Sequence, residues 1–186
     1  MTTSVEREIK LRFKSPDEAR AAVVATGATL LRGRRLQDDR LLDSSGGALR
    51  RRACVLRIRT EAGQTSLTYK GPVQPSTMKV REEFETTVGD EAALGRLLEA
   101  LGFHVWFRYQ KYREEFAHRD VVVAIDETPV GTFVEIEGDE RGITEMAQAL
   151  GRTSVEYVVE SYRSLFLKYQ KDHGLAGPNM VFDGPF

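Results

Sequence analysis

The amino-acid sequence predicts an α+β fold: a closed eight-stranded antiparallel β-barrel, a tunnel with a polar, charged lumen, surrounded by about four peripheral helices. Three observations lead there. Eight segments alternate with the period of two that marks strands. Others carry apolar residues at helical spacing behind capping signals. Charged residues also recur in i, i+2 pairs on strand faces that an ordinary core would fill with apolar side chains.

The elements follow in chain order. Residues 5–13 alternate, with Glu6, Glu8, Lys10 and Arg12 on one face and Val5, Ile9, Leu11 and Phe13 mostly on the other. Ser15-Pro16-Asp17-Glu18 then supplies an N-cap, a proline at the first helical position and a capping-box glutamate. That helix runs to Thr26 and stops at Gly27. A long strand is expected over 29–43, ending in the turn Ser44-Ser45-Gly46-Gly47. Residues 55–60 and 66–70 form a hairpin around Glu61-Ala62-Gly63-Gln64, and 78–88 a further strand. Asp90 caps a helix whose Ala93, Leu94, Leu97, Leu98 and Leu101 share a face, closed by Gly102. Strands are expected over 106–116, 121–126 and 131–137. Ile143, Met146, Ala147 and Leu150 mark another helix ending at Gly151, and the last helix covers 160–172. Residues 1–174 read as one domain, and 175–186, rich in Gly and Pro, as a tail or a strap across the surface.

Composition narrows the function. The 186 residues carry 27 basic and 28 acidic side chains, a net charge of −1, so no global field draws nucleic acid or an anionic membrane. No apolar run is long enough to cross a bilayer, and the N-terminus has no signal-peptide core. Cys54 has no second cysteine to pair with. A cytoplasmic protein is expected, with neither nucleic acid nor membrane as partner and a dimer compatible with the sequence. His104, His118 and His173 lie far apart, against a histidine zinc site. The clusters Arg32-Gly33-Arg34-Arg35 and Arg50-Arg51-Arg52 would suit a module binding polyphosphate or nucleic acid. Asp38, Asp39 and Asp43 interrupt that basic field, and solvated surface is the simpler reading.

A single Glu-x-Glu or Arg-x-Arg on a strand is ordinarily a solvated face. Here the pattern recurs on five strands: Glu6, Glu8 and Lys10; Arg57 and Arg59; Arg81, Glu83 and Glu85; Lys111 and Arg113; Glu135 and Glu137. If these faces all point into a barrel, with Lys70 beside them, both signs crowd one confined space. That is costly unless every charge finds a partner, and an empty lumen is expected to be incompletely paired. Divalent cations on the carboxylates and a polyanion on the basic groups would complete it. Oxygen ligands without Cys or His favour Mg2+ or Mn2+, and paired arginines favour phosphate. A metal-bound triphosphate is the simplest such ligand.

The string Glu6-Arg7-Glu8-Ile9-Lys10 resembles the E-x-E-x-K signature of the CYTH superfamily, the triphosphate tunnel metalloenzymes. Leu56-Arg57-Ile58-Arg59 is similar to its paired-arginine strand, Leu67-Thr68-Tyr69-Lys70-Gly71-Pro72 to its lysine strand, and Arg81-Glu82-Glu83-Phe84-Glu85 to its R-x-E-x-E segment. Lys111-Tyr112-Arg113 resembles the K-x-R strand. Asp126 with Gly131, Phe133, Glu135 and Glu137 resembles the D…G-x-F-x-E-x-E block. Gln37-Asp38 with Asp43 is similar to the segment before the arginine strand, with leucine where the family has tyrosine. The resemblance spans about residues 5–162 and implies an eight-stranded tunnel.

By this resemblance Lys10, Arg57, Arg59, Lys70, Arg81, Lys111 and Arg113 bind the triphosphate. Glu6, Glu8, Glu135 and Glu137 are the main ligands of Mg2+ or Mn2+, with Glu83 and Glu85 near a second metal or the water. Asp126 joins the metal set or holds the turn at Thr128-Pro129. Glu6, Glu8, Lys10, Glu83 and Glu85 are the candidates for direct catalytic roles. Ser161, Tyr162 and Lys168 would line or plug one mouth, although Tyr162 and Lys168, six apart, do not share a helix face. The implied activity is hydrolysis of a small-molecule triphosphate (inorganic triphosphate, thiamine triphosphate or a nucleoside triphosphate). The alternative is a class IV adenylate cyclase, forming cyclic AMP and pyrophosphate. Hydrolysis is preferred because the matched residues serve phosphate and metal, and none is a recognisable adenine reader.

Overall fold

Alternation in the sequence becomes a closed wall in the computed structural model, which describes residues 4–182. The strands are β1 (Ser4–Phe13), β2 (Thr29–Ser44), β3 (Val55–Glu61) and β4 (Gln64–Lys70). They continue with β5 (Lys79–Val88), β6 (Phe103–His118), β7 (Val121–Thr128) and β8 (Gly131–Glu137). All neighbours are antiparallel, in the closed order β1-β5-β4-β3-β2-β6-β7-β8. The helices are α1 (Pro16–Ala25), α2 (Ala48–Arg51), α3 (Glu91–Ala100), α4 (Glu140–Ala149) and α5 (Tyr162–His173). The predicted α+β barrel and its four longer helices are therefore present. The single turn of α2, too short to show a period, is an addition. Helix α5 begins two residues later than expected because Ser161 is its N-cap, accepting from the Ser164 amide at 3.1 Å.

The main apolar core lies outside the barrel. Ile9, Leu11 and Phe13 of β1, Val123 and Ile125 of β7 and Val134 and Ile136 of β8 turn outward. There they meet Ala19 and Val23 of α1 and Ile143, Met146 and Ala147 of α4. Each such fully buried aliphatic contributes about 1.5–3 kcal/mol, so the wall is held from its outer side. A smaller cluster seats Leu98 of α3 on Leu42 and Ile58. Period two then sends the alternate residues, mostly charged, inward.

One end of the lumen has an apolar filling. Leu41, Phe107, Tyr109 and Phe133 pack there against Tyr162, Leu165 and Phe166 of α5. Residues 157–159 cover the edge of β1, where Lys10 and Val158 exchange backbone bonds of 3.0 and 2.9 Å. After Gly174 the chain is a strap. Met180 bridges Tyr109 beside β6, its amide donating to Arg108 O (3.0 Å) and its carbonyl accepting from Gln110 N (2.8 Å), and its side chain is fully buried. Residues 183–186 lie outside the described residues. Among the described residues no helix is long and apolar enough to cross a membrane.

Candidate functional site

The strand register decides which charges meet. Glu6 stands opposite Arg81, Glu8 opposite Lys79, Lys10 opposite Glu135, Lys70 opposite Glu83, Asp39 opposite Arg59, and Arg113 opposite Asp126. Nearly every inward cation thus faces an acid. Lys70 and Arg81 donate to Glu6 at 2.6 and 2.7 Å. Lys10 and Lys79 donate to Glu8 at 2.7 and 2.5 Å, and Lys10 lies 3.3 Å from Glu135. Arg59 grips Asp39 with two bonds of 2.8 and 3.1 Å, and Arg57 reaches Thr68 at 3.1 Å and Glu85 at 3.4 Å. Arg113 donates to Asp126 at 2.7 and 2.6 Å and to Glu135 at 2.7 Å. Apart from Asp39, Thr68 and Asp126, which are fully buried behind the surface, these side chains line one cavity of about 1030 Å³. Among the described residues, the expected incomplete pairing of the empty lumen is confined to Glu137 and, at the rim, Arg163; elsewhere the cations hold the carboxylates in place of a ligand, because the register puts the two signs face to face.

Two kinds of perturbed group survive the pairing. Burial and the neighbouring Arg113 keep Lys111 down to about 8 in spite of Asp126. Burial, with Lys10 and Arg81 nearby, does the same to Lys79, also to about 8, in spite of Glu8. At both, burial is the largest cause, and like charge nearby adds to it. On the β1–β8 wall, Glu8 and Glu137 are direct cross-strand partners. Glu137 makes no hydrogen bond or ion pair among the described residues. Its side chain is exposed at the end of β8, where it lines the tunnel. Partial burial of the carboxyl group by the tunnel wall and the carboxylates of Glu6, Glu135 and Glu8 push it up to about 7. Gly138, next in the chain, fixes this end of β8: a Cβ there would come within 2.7 Å of the Val121 side chain and 3.0 Å of the Asp120 carbonyl.

The excess at Glu137 is the test of whether a divalent cation fits. Glu6, Glu8, Glu135 and Glu137 offer hard oxygen donors on adjacent strands and an unbalanced carboxylate, which suits Mg2+ or Mn2+ in kind. Among the described residues, no three acids, histidines or cysteines are already gathered around one point. Glu6, Glu8 and Glu135 would have to exchange ammonium and guanidinium partners for the ion. Glu83 and Glu85 lie on the β4 side, with Lys70 at 3.0 Å from Glu83 and Thr68 donating to Glu85 at 2.7 Å.

Asp126 departs from the metal role suggested for it. It is fully buried, and its two oxygens are taken by Arg113, by Lys111 at 2.8 Å and by the Tyr162 hydroxyl at 2.6 Å. Nor does it hold the following turn, where the Thr128 hydroxyl donates to the Gly131 carbonyl at 2.7 Å. Asp126 is the anchor that aligns Lys111 and Arg113. Tyr162 plugs the floor beneath Lys10 and Lys111, which stand 5.3 and 4.9 Å from its ring centre. Ser161 caps α5, and exposed Lys168 pairs with Glu160 at 2.5 Å on the surface.

The sequence reading missed two charged residues of the inward strand faces. Lys79 is i−2 from Arg81 and continues the same inward face. Asp39 is i+2 from Gln37 on β2, and burial pushes its carboxyl up while Arg59 and Arg57 pull it down to about 2. Reading the alternation one step further along each strand would have found both. The basic clusters outside the lumen are largely neutralised: Arg34 by Glu127 at 2.7 Å, Arg35 by Glu61 and Glu115, and Arg50 by Asp43 at 3.0 Å.

Comparison with known proteins agrees with this geometry. The family model described as the CYTH domain matches residues 4–162. A curated relative from Methanocaldococcus jannaschii, named a putative adenylate cyclase, is 28% identical over 147 residues, covering 78% of this chain and 83% of its own. The structure of PH1819 protein from Pyrococcus horikoshii is 27% identical, with a TM-score of 0.73 over 88% of this chain and 98% of that one. A Hippeastrum protein has the same fold at 20% identity, with a TM-score of 0.63 over 88% and 95% of the two chains. That protein is described as a putative adenylyl cyclase with a dominant triphosphatase activity.

Proposed function

The chain belongs to the CYTH family, and from that premise we propose that it is a divalent-metal-dependent enzyme that binds a triphosphate in its barrel and hydrolyses a phosphoanhydride bond. The observation that carries the reading is one cavity with two opposite demands: a crowd of cations from five strands, Lys79 and Lys111 among them, and the carboxylate of Glu137, unpaired among the described residues, beside Glu8. An anion with a cation attached meets both at once.

In this reading Arg57, Arg59, Lys70, Lys79, Arg81, Lys10, Lys111 and Arg113 exchange their carboxylate partners for phosphate oxygens. Because they project from five strands of a closed wall, they surround a linear polyanion and hold it extended, as in-line displacement requires. Asp126 and Asp39 keep the guanidinium and ammonium groups aimed, so that little reorganisation accompanies the reaction. The aromatic cluster of Phe107, Tyr109, Phe133 and Tyr162 gives the cradle an apolar floor. The carboxylates released from their ion pairs, chiefly Glu8 and Glu135, together with Glu137, would hold Mg2+ or Mn2+. A bound divalent ion supplies charge neutralisation on the phosphates and acidifies a water molecule.

Adenylate cyclase is the second reading, favoured by the name of the archaeal relative. It requires ribose and adenine to be held outside the cradle so that the 3′-hydroxyl reaches the α-phosphorus. Hydrolysis needs no more than the lumen residues supply. Incubation with tripolyphosphate, thiamine triphosphate or ATP, each with magnesium and then manganese, followed by anion-exchange chromatography, separates the two. Orthophosphate from at least one triphosphate, abolished by excess EDTA, is expected. Cyclic AMP with stoichiometric pyrophosphate from ATP, and no phosphate from tripolyphosphate, would establish the cyclase. Full turnover in EDTA would exclude the metal requirement.

A further inference from the structure

The cavity continues past the phosphate cradle to the strand ends near α5. Its lining there includes Arg50, Trp106 and Arg163, away from Glu61 and Glu137 at the opposite ends of β3 and β8. Trp106 owes its position to a β-bulge. Leu41 pairs with Phe107 and Leu42 with Val105, so Trp106 is the extra residue of β6. A bulge re-aims the side chain it carries, and this one sets the indole on the tunnel rim. Two guanidinium groups from different elements lie over it, Arg50 at 4.5 Å and Arg163 at 4.8 Å from a ring centre. A guanidinium stacked on an indole is held in orientation while its N–H edge stays available for hydrogen bonds in its own plane.

Charge accounting singles out Arg163. Each of the other cations lining the cavity has a carboxylate within ion-pair distance, from Lys10 with Glu8 to Arg50 with Asp43 and Arg32 with Glu115. Among the described residues Arg163 has none; its recorded contact is with Trp106. An anion arriving in the cradle must displace carboxylates, whereas an anion arriving at Arg163 displaces only water. The rim is therefore a place where a phosphate group binds without an exchange of ion pairs.

From this we infer that Arg163, oriented by Trp106 and flanked by Arg50, forms a phosphate subsite at the floor-side mouth of the tunnel, separate from the cradle. The inference rests on the triphosphate reading for the ligand's chemistry, a phosphate oxyanion. That oxyanion has two sources: the fourth phosphate of a linear chain longer than triphosphate, or the orthophosphate that hydrolysis releases.

Direct titration calorimetry on the full chain, with calcium in place of magnesium to slow turnover, distinguishes them. Wild type, Arg163→Gln and Arg163→Lys are titrated with tripolyphosphate, tetrapolyphosphate and orthophosphate. If the fourth phosphate is the ligand, tetrapolyphosphate binds wild type about tenfold more tightly than tripolyphosphate, the scale of one charge-assisted contact. That ratio falls towards one in Arg163→Gln and is partly restored in Arg163→Lys. If released phosphate is the ligand, the two chains bind alike, but orthophosphate binds protein already saturated with tripolyphosphate, and Arg163→Gln abolishes that binding. A ratio near one in wild type together with no orthophosphate binding to the saturated protein overturns the subsite. Should tripolyphosphate itself fail to bind, the triphosphate reading falls, and the orthophosphate titration of wild type against Arg163→Gln still decides the subsite. Melting curves of both variants confirm that each is folded.

Discussion

Replacing Asp39 with Asn should destabilise the empty protein and make it more responsive to its ligand. Asp39 is fully buried and accepts two bonds from Arg59, at 2.8 and 3.1 Å, with Arg57 3.5 Å away. Its carboxyl falls from the ordinary 3.8 to about 2, which is worth roughly 2 kcal/mol of stability. The sign follows from the depressed value: this contribution is complete above pH ~4 and is lost as the pH falls through ~2. Asn removes it at neutral pH and also leaves Arg59 without its counter-charge, a change that typically costs about 3–5 kcal/mol. At ~2–4 °C per kcal/mol for a chain of this size, the melting temperature should drop by roughly 6–20 °C. The difference from wild type should narrow as melts are repeated towards pH 2. Tripolyphosphate supplies the missing negative charge, so its stabilisation of Asp39→Asn should exceed its stabilisation of wild type. A variant that melts within about 2 °C of wild type at pH 7, or gains less from tripolyphosphate, would refute the view that Asp39 holds the arginines in place of a ligand.

Glu137 has the opposite sign. Raised to about 7, it contributes stability below its ordinary 4.5 that is lost as the pH rises through 7. Metal-free Glu137→Gln should therefore melt above wild type at pH 8 and alike at pH 4, while triphosphate turnover at saturating metal falls sharply; a lower melt at pH 8 would count against the carboxylate excess. Arg57→Ala or Arg59→Ala should weaken triphosphate binding by about 1.5–3 kcal/mol, with lysine restoring it only in part because the fork is lost; calorimetry showing unchanged affinity in both would exclude them from the cradle. Met180→Ala, at the fully buried residue of the strap, should cost about 2–5 kcal/mol in urea unfolding. A loss below ~1 kcal/mol would mean that the strap does not hold the floor.

What was legible in the sequence followed from a short period. Alternation and charge pairs gave the barrel, because every inward face is fixed once one residue of a strand is placed. Glu6, Glu8, Lys10, Arg57, Arg59, Lys70, Arg81, Lys111, Arg113, Glu135 and Glu137 all reach the one cavity. What was not legible depends on register, which joins residues far apart in the chain. Asp126 reads like a metal ligand until Arg113 is seen opposite it and Tyr162 beneath it. Nothing local marks Trp106 as the extra residue of a bulge, since the slip is defined by β2. The four residues of α2 are too few to show any period.

Register also sets how the lumen can bind anything. A barrel lined with one sign would attract its counter-ion strongly, but its empty state would be burdened by self-repulsion between buried like charges. Here Glu6 faces Arg81 and Lys10 faces Glu135, so the empty barrel is nearly neutral along its wall and can fold without a ligand. The consequence is that binding is an exchange of partners. Cations leave carboxylates for phosphate, and the carboxylates so freed are negatively charged groups in a confined space that need a cation of their own. A bare polyanion would free Glu8 and Glu135 beside the already unfavourable Glu137, and a bare cation would free Lys10 and Lys79 beside one another. Each half of the ligand relieves the imbalance the other creates. Metal and polyphosphate should therefore stabilise the fold more together than the sum of their separate effects, which thermal melts with neither, either and both would measure; strictly additive shifts would mean that the two sets of charges titrate as independent sites.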